Sequence, residues 1–138
     1  MDNIFIVTLP KLPSFFTKGI DQFTCSLWVG NLPPDTALLR DLLEKGGGPF
    51  LFAGKNAEVW EDAMDQIIIT FPGYVQRDPY PSTVSFLIED PLKESYLFDS
   101  MFTFAYEHPV LFLLVHTDPG IEKRLHTAVM GYNESTQS

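Results

Sequence analysis

Pro109-Val110-Leu111-Phe112-Leu113-Leu114-Val115-His116 is an apolar run that stops abruptly at His116-Thr117-Asp118-Pro119-Gly120. Seven of its eight residues bring neither charge nor a hydrogen-bonding side chain. A bounded apolar run of this length, without alternation, reads as a strand buried on both faces. Such strands belong to parallel sheets covered by helices. The polar residues that follow one stand at the carboxyl edge of the sheet, where open α/β folds take their ligands.

Upstream of this run the chain alternates strand and helix patterns. Asp90-Pro91 opens a helix, with Asp as N-cap and Pro in the first turn, that is apolar over most of its surface to about Tyr106. Residues 82–88 before it read as a strand. Residues 70–81, with three prolines, one glycine and two tyrosines, form a long loop suited to a lid, a binding loop or an interface. Residues 57–68 make an amphipathic helix capped by Asn56, with Val59, Trp60, Ala63, Met64 and Ile67 on its apolar side. A short strand over 49–53 precedes it. Gly46-Gly47-Gly48 ends a helix over 36–45 that Asp35 caps and Leu38, Leu39, Leu42 and Leu43 define.

The first long strand spans 23–30. Ahead of it, residues 3–9 have strand composition cut short by Pro10 and Pro13, so residues 1–22 read as an edge strand or arm and a loop. Downstream, Asp118-Pro119 repeats the cap device for a short helix through Ile121, Leu125 and Val129. Gly131 stands at its C′ position and 132–138 form a frayed tail. The chain is thus a single three-layer αβα domain over 1–131. Its sheet is mostly parallel and four- to five-stranded, in the Rossmann-like or flavodoxin-like manner. The expected strand order sets the first long strand inside the sheet, next to the third, with the fourth beyond it.

The 138 residues suffice for one domain that buries roughly two-thirds of its extended-chain surface. A net charge of −9 argues against nucleic acid, whose affinity comes from Lys and Arg neutralising phosphates, and against anionic membranes. It suits a basic protein partner. The single Cys25 lies in an apolar run and reads as a buried, inert thiol. No basic leader and no apolar run of membrane-spanning length is present, which points to the cytoplasm. Twelve Phe, five Tyr and two Trp exceed what one small core hides, so the sequence predicts an interface, on a partner or in a homodimer. Its candidates are Phe15, Phe16, Trp60, Tyr74 and Tyr80.

Four strand ends, at Asn31, Lys55, Glu89 and His116, converge on one edge as candidate ligand-binding residues. Asp90 and Asp118 are explained as caps, whereas Glu89 and His116 are free for acid–base work. Glu58, near a strand's carboxyl end, resembles in placement the glutamate of nucleotide-cleaving α/β domains and joins Glu89 and His116 as a catalytic candidate. No G-x-G-x-x-G follows the first strand, no G-x-x-x-x-G-K-[ST] occurs, and Ser26 lacks a nucleophile elbow. The three histidines have no paired metal-ligand spacing, so neither metal nor cofactor is expected. Acids at Glu58, Glu61, Asp62 and Asp65 form a solvated helix face or a docking surface for a basic partner.

The runs Leu27-Trp28-Val29-Gly30 to Leu43, Phe50-Leu51-Phe52-Ala53-Gly54 and Trp60-Glu61-Asp62 resemble a family of small uncharacterised bacterial Rossmann-like α/β domains. The resemblance spans residues 23–116, implies the fold, and carries over no functional residue. Without a catalytic motif, the first functional expectation is a non-enzymatic, acidic, cytoplasmic binding protein, regulatory or immunity-type, that engages a protein partner. The alternative is a small nucleotide-handling enzyme or sensor at the carboxyl edge of the sheet. A third is a structural subunit covered by its own copy.

Overall fold

The computed structural model describes residues 3–77, 80–116, 118 and 120–137, the last six of these as backbone only. Its centre is β5 (Val110–Leu114), every residue of which is buried. β5 lies between β1 (Ile4–Thr8) and β2 (Phe23–Trp28), and β3 (Gly47–Ala53) and β4 (Thr83–Phe86) complete a five-stranded, all-parallel sheet of order β1-β5-β2-β3-β4. The helices are α1 (Leu12–Phe16), α2 (Thr36–Glu44), α3 (Ala57–Thr70), α4 (Ser95–Ala105) and α5 (Ile121–Gln137).

The sheet has two apolar faces, and strand alternation assigns side chains to each. Cys25, Leu27, Phe50, Phe52, Leu111 and Leu113 pack with α1, α2 and α3. Trp28, Leu51, Val110, Phe112 and Leu114 pack with α4 and α5. This division follows from the connections. Those leading from β1 to β2, β3 and β4 advance in one direction and share one face, while the return from β4 to β5 uses the other. A single hand of crossover requires that arrangement. Two cores also absorb the aromatic excess: none of the twelve Phe is exposed.

The structure departs from the sequence expectations at several points. The first long strand, β2, neighbours the second and fourth long strands, not the third, which forms the far edge as β4. Periodicity marks strands but does not say on which side of a predecessor each one adds. The helix expected from Asp90 is broken. Asp90 caps a 3₁₀ turn over Pro91–Lys93 through Leu92 N–H, 3.1 Å, and Glu94 then caps α4 through Tyr96 N–H, 3.3 Å. Asn56 does not cap α3 with its side chain; its Nδ2 donates to the carbonyls of Leu32, 2.9 Å, and Asn31, 3.3 Å. Gly131 does not end α5, which continues to Gln137. Of the glycine triplet, Gly47 and Gly48 already belong to β3.

Phe15 and Trp60, expected at an interface, are interior at 1% exposure each. Phe15 stacks edge-on against Phe5 and Phe23, and Trp60 Nε1 donates to Leu32 O, 2.9 Å. Phe16 and Tyr74 are half-buried, and Tyr80 is exposed against Tyr74, ring centroids 6.0 Å apart. In the 70–81 loop a 3₁₀ turn over Tyr74–Gln76 leads to Arg77, whose Nη1 donates to Leu43 O, 3.1 Å; residues 78 and 79 lie outside the described residues.

At the amino end of the sheet, buried His108 shares a 2.6 Å hydrogen bond between its Nε2 and Thr24 Oγ1. Burial pulls its imidazole below the ordinary histidine value, with the Glu107 carboxylate opposing. As pH falls, the unfolded chain therefore takes up this proton before the folded one. Stability should decline from about pH 6.5 downward until the folded-state imidazole titrates as well. His108→Gln, which keeps a partner for Thr24, should lose this component. Urea midpoints on either side of that pH, compared between the two proteins, check it.

Candidate functional site

The loops after β2 and β5 leave for opposite faces of the sheet, toward α2 and α5. A crevice opens between the carboxyl ends of these adjacent strands, at the topological switch point. A pocket of about 90 Å³ lies there, on the face covered by α4 and α5.

Its floor is built by close backbone approach. Gly54 N–H continues the ladder to Phe86 O, 3.1 Å, and Asn56 N–H donates to Gly30 O, 2.8 Å. Gly54 sits at φ +134°, and a Cβ there would lie 2.6 Å from Gly30 N. Gly30, at φ +57°, is in turn overlaid by the His116 ring, whose Cγ would lie 2.7 Å from an added Cβ. Only glycine fits either position. Trp28 supplies the apolar wall, its Nε1 donating to Ser26 Oγ, 3.0 Å, within the core. Pro91 and Ile121 add to the apolar lining.

The rim is polar. Glu89, His116 and Asp118 all line the pocket, and Glu89 and His116 are exposed. Among the described residues neither Glu89 nor the His116 ring has a hydrogen bond or ion pair, whereas Asp118 Oδ1 accepts from Gly120 N–H, 3.2 Å. Pro119, expected in the first turn of the following helix, lies outside the described residues. The 3₁₀ turn over Pro91–Lys93 and α5 are joined where Arg124 meets Asp90, 2.8 Å. That guanidinium holds the Asp90 carboxyl below its ordinary range, against partial burial and with help from the Leu92 amide.

The structure thus brings Glu89 and His116 together and leaves other candidates apart. Asn31 and Lys55 are exposed and outside the lining, and Glu58 is exposed on α3, on the other face of the sheet. Of the remaining α3 acids, Glu61 Oε1 accepts from Ser85 Oγ, 3.0 Å, and Asp65 Oδ1 from Thr83 Oγ1, 2.5 Å. Trp28, Pro91 and Ile121 escaped sequence reasoning as site residues. A Trp at the last position of a buried strand was the available signal, and it reads equally well as core. Burial pushes the Cys25 thiol far up, so it is no nucleophile. Among the described residues no three His, Cys, Asp or Glu side chains form a metal-binding group, and no helix is long and apolar enough to cross a membrane.

No family model, curated protein or solved structure matches the chain.

Proposed function

We propose that this chain is a non-enzymatic, cytoplasmic binding protein of the regulatory or immunity type, and that it engages a basic protein partner by receiving a cationic side chain in the carboxyl-edge pocket. The observation that carries this reading is the pairing of an apolar wall at Trp28 with unpartnered Glu89 and with Asp118 at the rim. Such a lining suits the apolar stem and charged head of Arg or Lys. The size agrees: about 90 Å³ takes the end of a side chain, far below the roughly 300–1,000 Å³ of sites for drug-sized ligands. Carboxylates at the rim repel phosphate, and the net charge of −9 favours encounter with a basic surface.

The second reading, a nucleotide-handling enzyme or sensor, draws support from Glu89 and His116 sharing a lining at the switch point. Membership in the small bacterial Rossmann-like family that the sequence resembles is compatible with either.

Thermal shift and Trp fluorescence with N-acetyl-arginine amide, short Lys/Arg peptides, nucleotides and divalent metals separate the two. Guanidinium and ammonium compounds should stabilise the protein, and nucleotides should not. Glu89→Gln should remove the response while leaving the melting temperature of the free protein unchanged, because the exposed carboxylate holds nothing in place. Stabilisation by nucleotides with no response to the cationic compounds would establish the second reading instead.

A further inference from the structure

Building on the proposed cation-receiving role of the carboxyl-edge pocket, we infer that His116 gates it by pH: a neutral imidazole admits the cationic side chain and a protonated one refuses it. His116 lines the same small pocket as Glu89 and Asp118, the two carboxylates that meet the incoming cation. An imidazolium there is a cation already in place, and it repels a second one at short range.

The ring is held in position whatever its charge. His116 follows β5 closely, and its N–H donates to Trp28 O, 3.0 Å. Its side chain lies over Gly30 so tightly that a Cβ there would meet Cγ at 2.7 Å and Cδ2 at 3.0 Å. The residue is also exposed, and among the described residues no hydrogen bond engages either ring nitrogen. A proton can come and go without breaking a contact. Neither of the other histidines is so placed. His108 is buried at the amino end of the sheet with its Nε2 bound to Thr24 Oγ1, and His126 stands on α5 beside Glu122, 3.9 Å, outside the lining.

The charges around His116 come from each element that frames the pocket. The loop after β4 brings Glu89, and the loop after β5 brings Asp118. The strand ends of β2 and β3 bring only the uncharged Trp28, Gly30, Ala53 and Gly54. Asp90 and Arg124 are paired with each other and stand outside the lining, as does exposed Lys55. One imidazolium therefore opposes two carboxylates and cancels half of the charge that draws the ligand in. Histidine is the side chain that ordinarily changes charge between about pH 5 and 8. The partner's basic side chain is thus held at neutral pH and released on acidification.

Calorimetric titration of the whole chain with N-acetyl-arginine amide, at about pH 7.5 and about pH 5.5, spans that interval. The guanidinium stays charged throughout, so any change comes from the protein. Circular dichroism at both pH values verifies the fold, since His108 weakens stability over the same interval. Affinity should fall about fivefold or more at the lower pH, an ordinary coupling between two sites. His116→Gln, polar but uncharged, should bind equally at both. Equal or tighter wild-type binding at the lower pH overturns the gate and leaves the cation pocket standing. So does a His116→Gln protein that keeps the pH dependence. No binding at either pH overturns the pocket reading and the gate with it. Should His116→Gln fail to fold, the ring-proton NMR signals of His116 in the wild type decide. At intermediate pH the ligand should move them toward their neutral-form positions, and signals that stay in place overturn the gate.

Discussion

Leu113→Asp should abolish folding. Leu113 is fully buried on the central strand, paired in register with Val7 on one side and Leu27 on the other, and its side chain enters the core beneath α1, α2 and α3. No cation lies in that cluster of apolar side chains to partner a carboxylate. An unpaired buried carboxylate costs several kcal/mol, or must be protonated at comparable cost, against a total stability of about 5–15 kcal/mol for a domain of this size. The strand cannot escape by slipping. A one-residue shift would send Leu111 and Leu113 to the other face and bring Phe112 into their place. Circular dichroism and thermal melting check the outcome, and a cooperatively melting Leu113→Asp protein would contradict the central position of β5.

The second large effect concerns the pocket floor. Gly54→Ala should destabilise the protein by about 3 kcal/mol or more. The positive φ alone costs an L-residue about 1–3 kcal/mol, and the new methyl group would press on the Gly30 backbone, with nitrogen at 2.6 Å and oxygen at 2.9 Å. Backbone cannot swing aside as a side chain does. Relief requires Gly30 to move, which shifts the surface on which the His116 ring rests. Gly131→Ala makes the contrast. Nothing lies within 4 Å of a Cβ there, inside the helical span of α5, so the change should stabilise the chain by about 1 kcal/mol. Denaturant midpoints for the two variants should therefore move in opposite directions. Opposite-signed expectations from one chemical change separate backbone geometry from a general intolerance of added methyl groups.

The three-layer α/β class was legible because buried parallel strands write themselves as bounded apolar runs, and β5 is the plainest of them. The polar rim of the pocket was legible for the same reason: Glu89, His116 and Asp118 stand where such runs end. Strand order was not, since it depends on which face each connecting helix occupies, and both faces of this sheet are equally apolar. The pocket wall was hidden too. Trp28 reads as core, and is core at one end of its ring system while lining the crevice at the other. Asn56 carries every mark of a helix cap, yet its Nδ2 donates to the carbonyls of the β2 loop and its side chain makes no cap hydrogen bond to α3. Phe15 and Trp60 proved interior because the aromatic content was weighed against one core and the fold provides two.

The placement of β1 bears on how the protein is made. Ile4 pairs with Val110, so within this sheet the first strand to be made waits for the last. Translation proceeds at about 5–20 residues per second, and for that interval Ile4, Phe5, Ile6 and Val7 have no strand to pair with. β2 and β3 meet much earlier and form a two-stranded seed, but one side of β2 stays open until β5 inserts between it and β1. Insertion of that strand closes two ladders at once and completes both cores. Folding is therefore concentrated in a single late event of high sequence separation, which slows it. A nascent chain that stalls before residue 110 presents unpaired β1 and one open side of β2 to whatever is nearby, and chaperone demand should peak there.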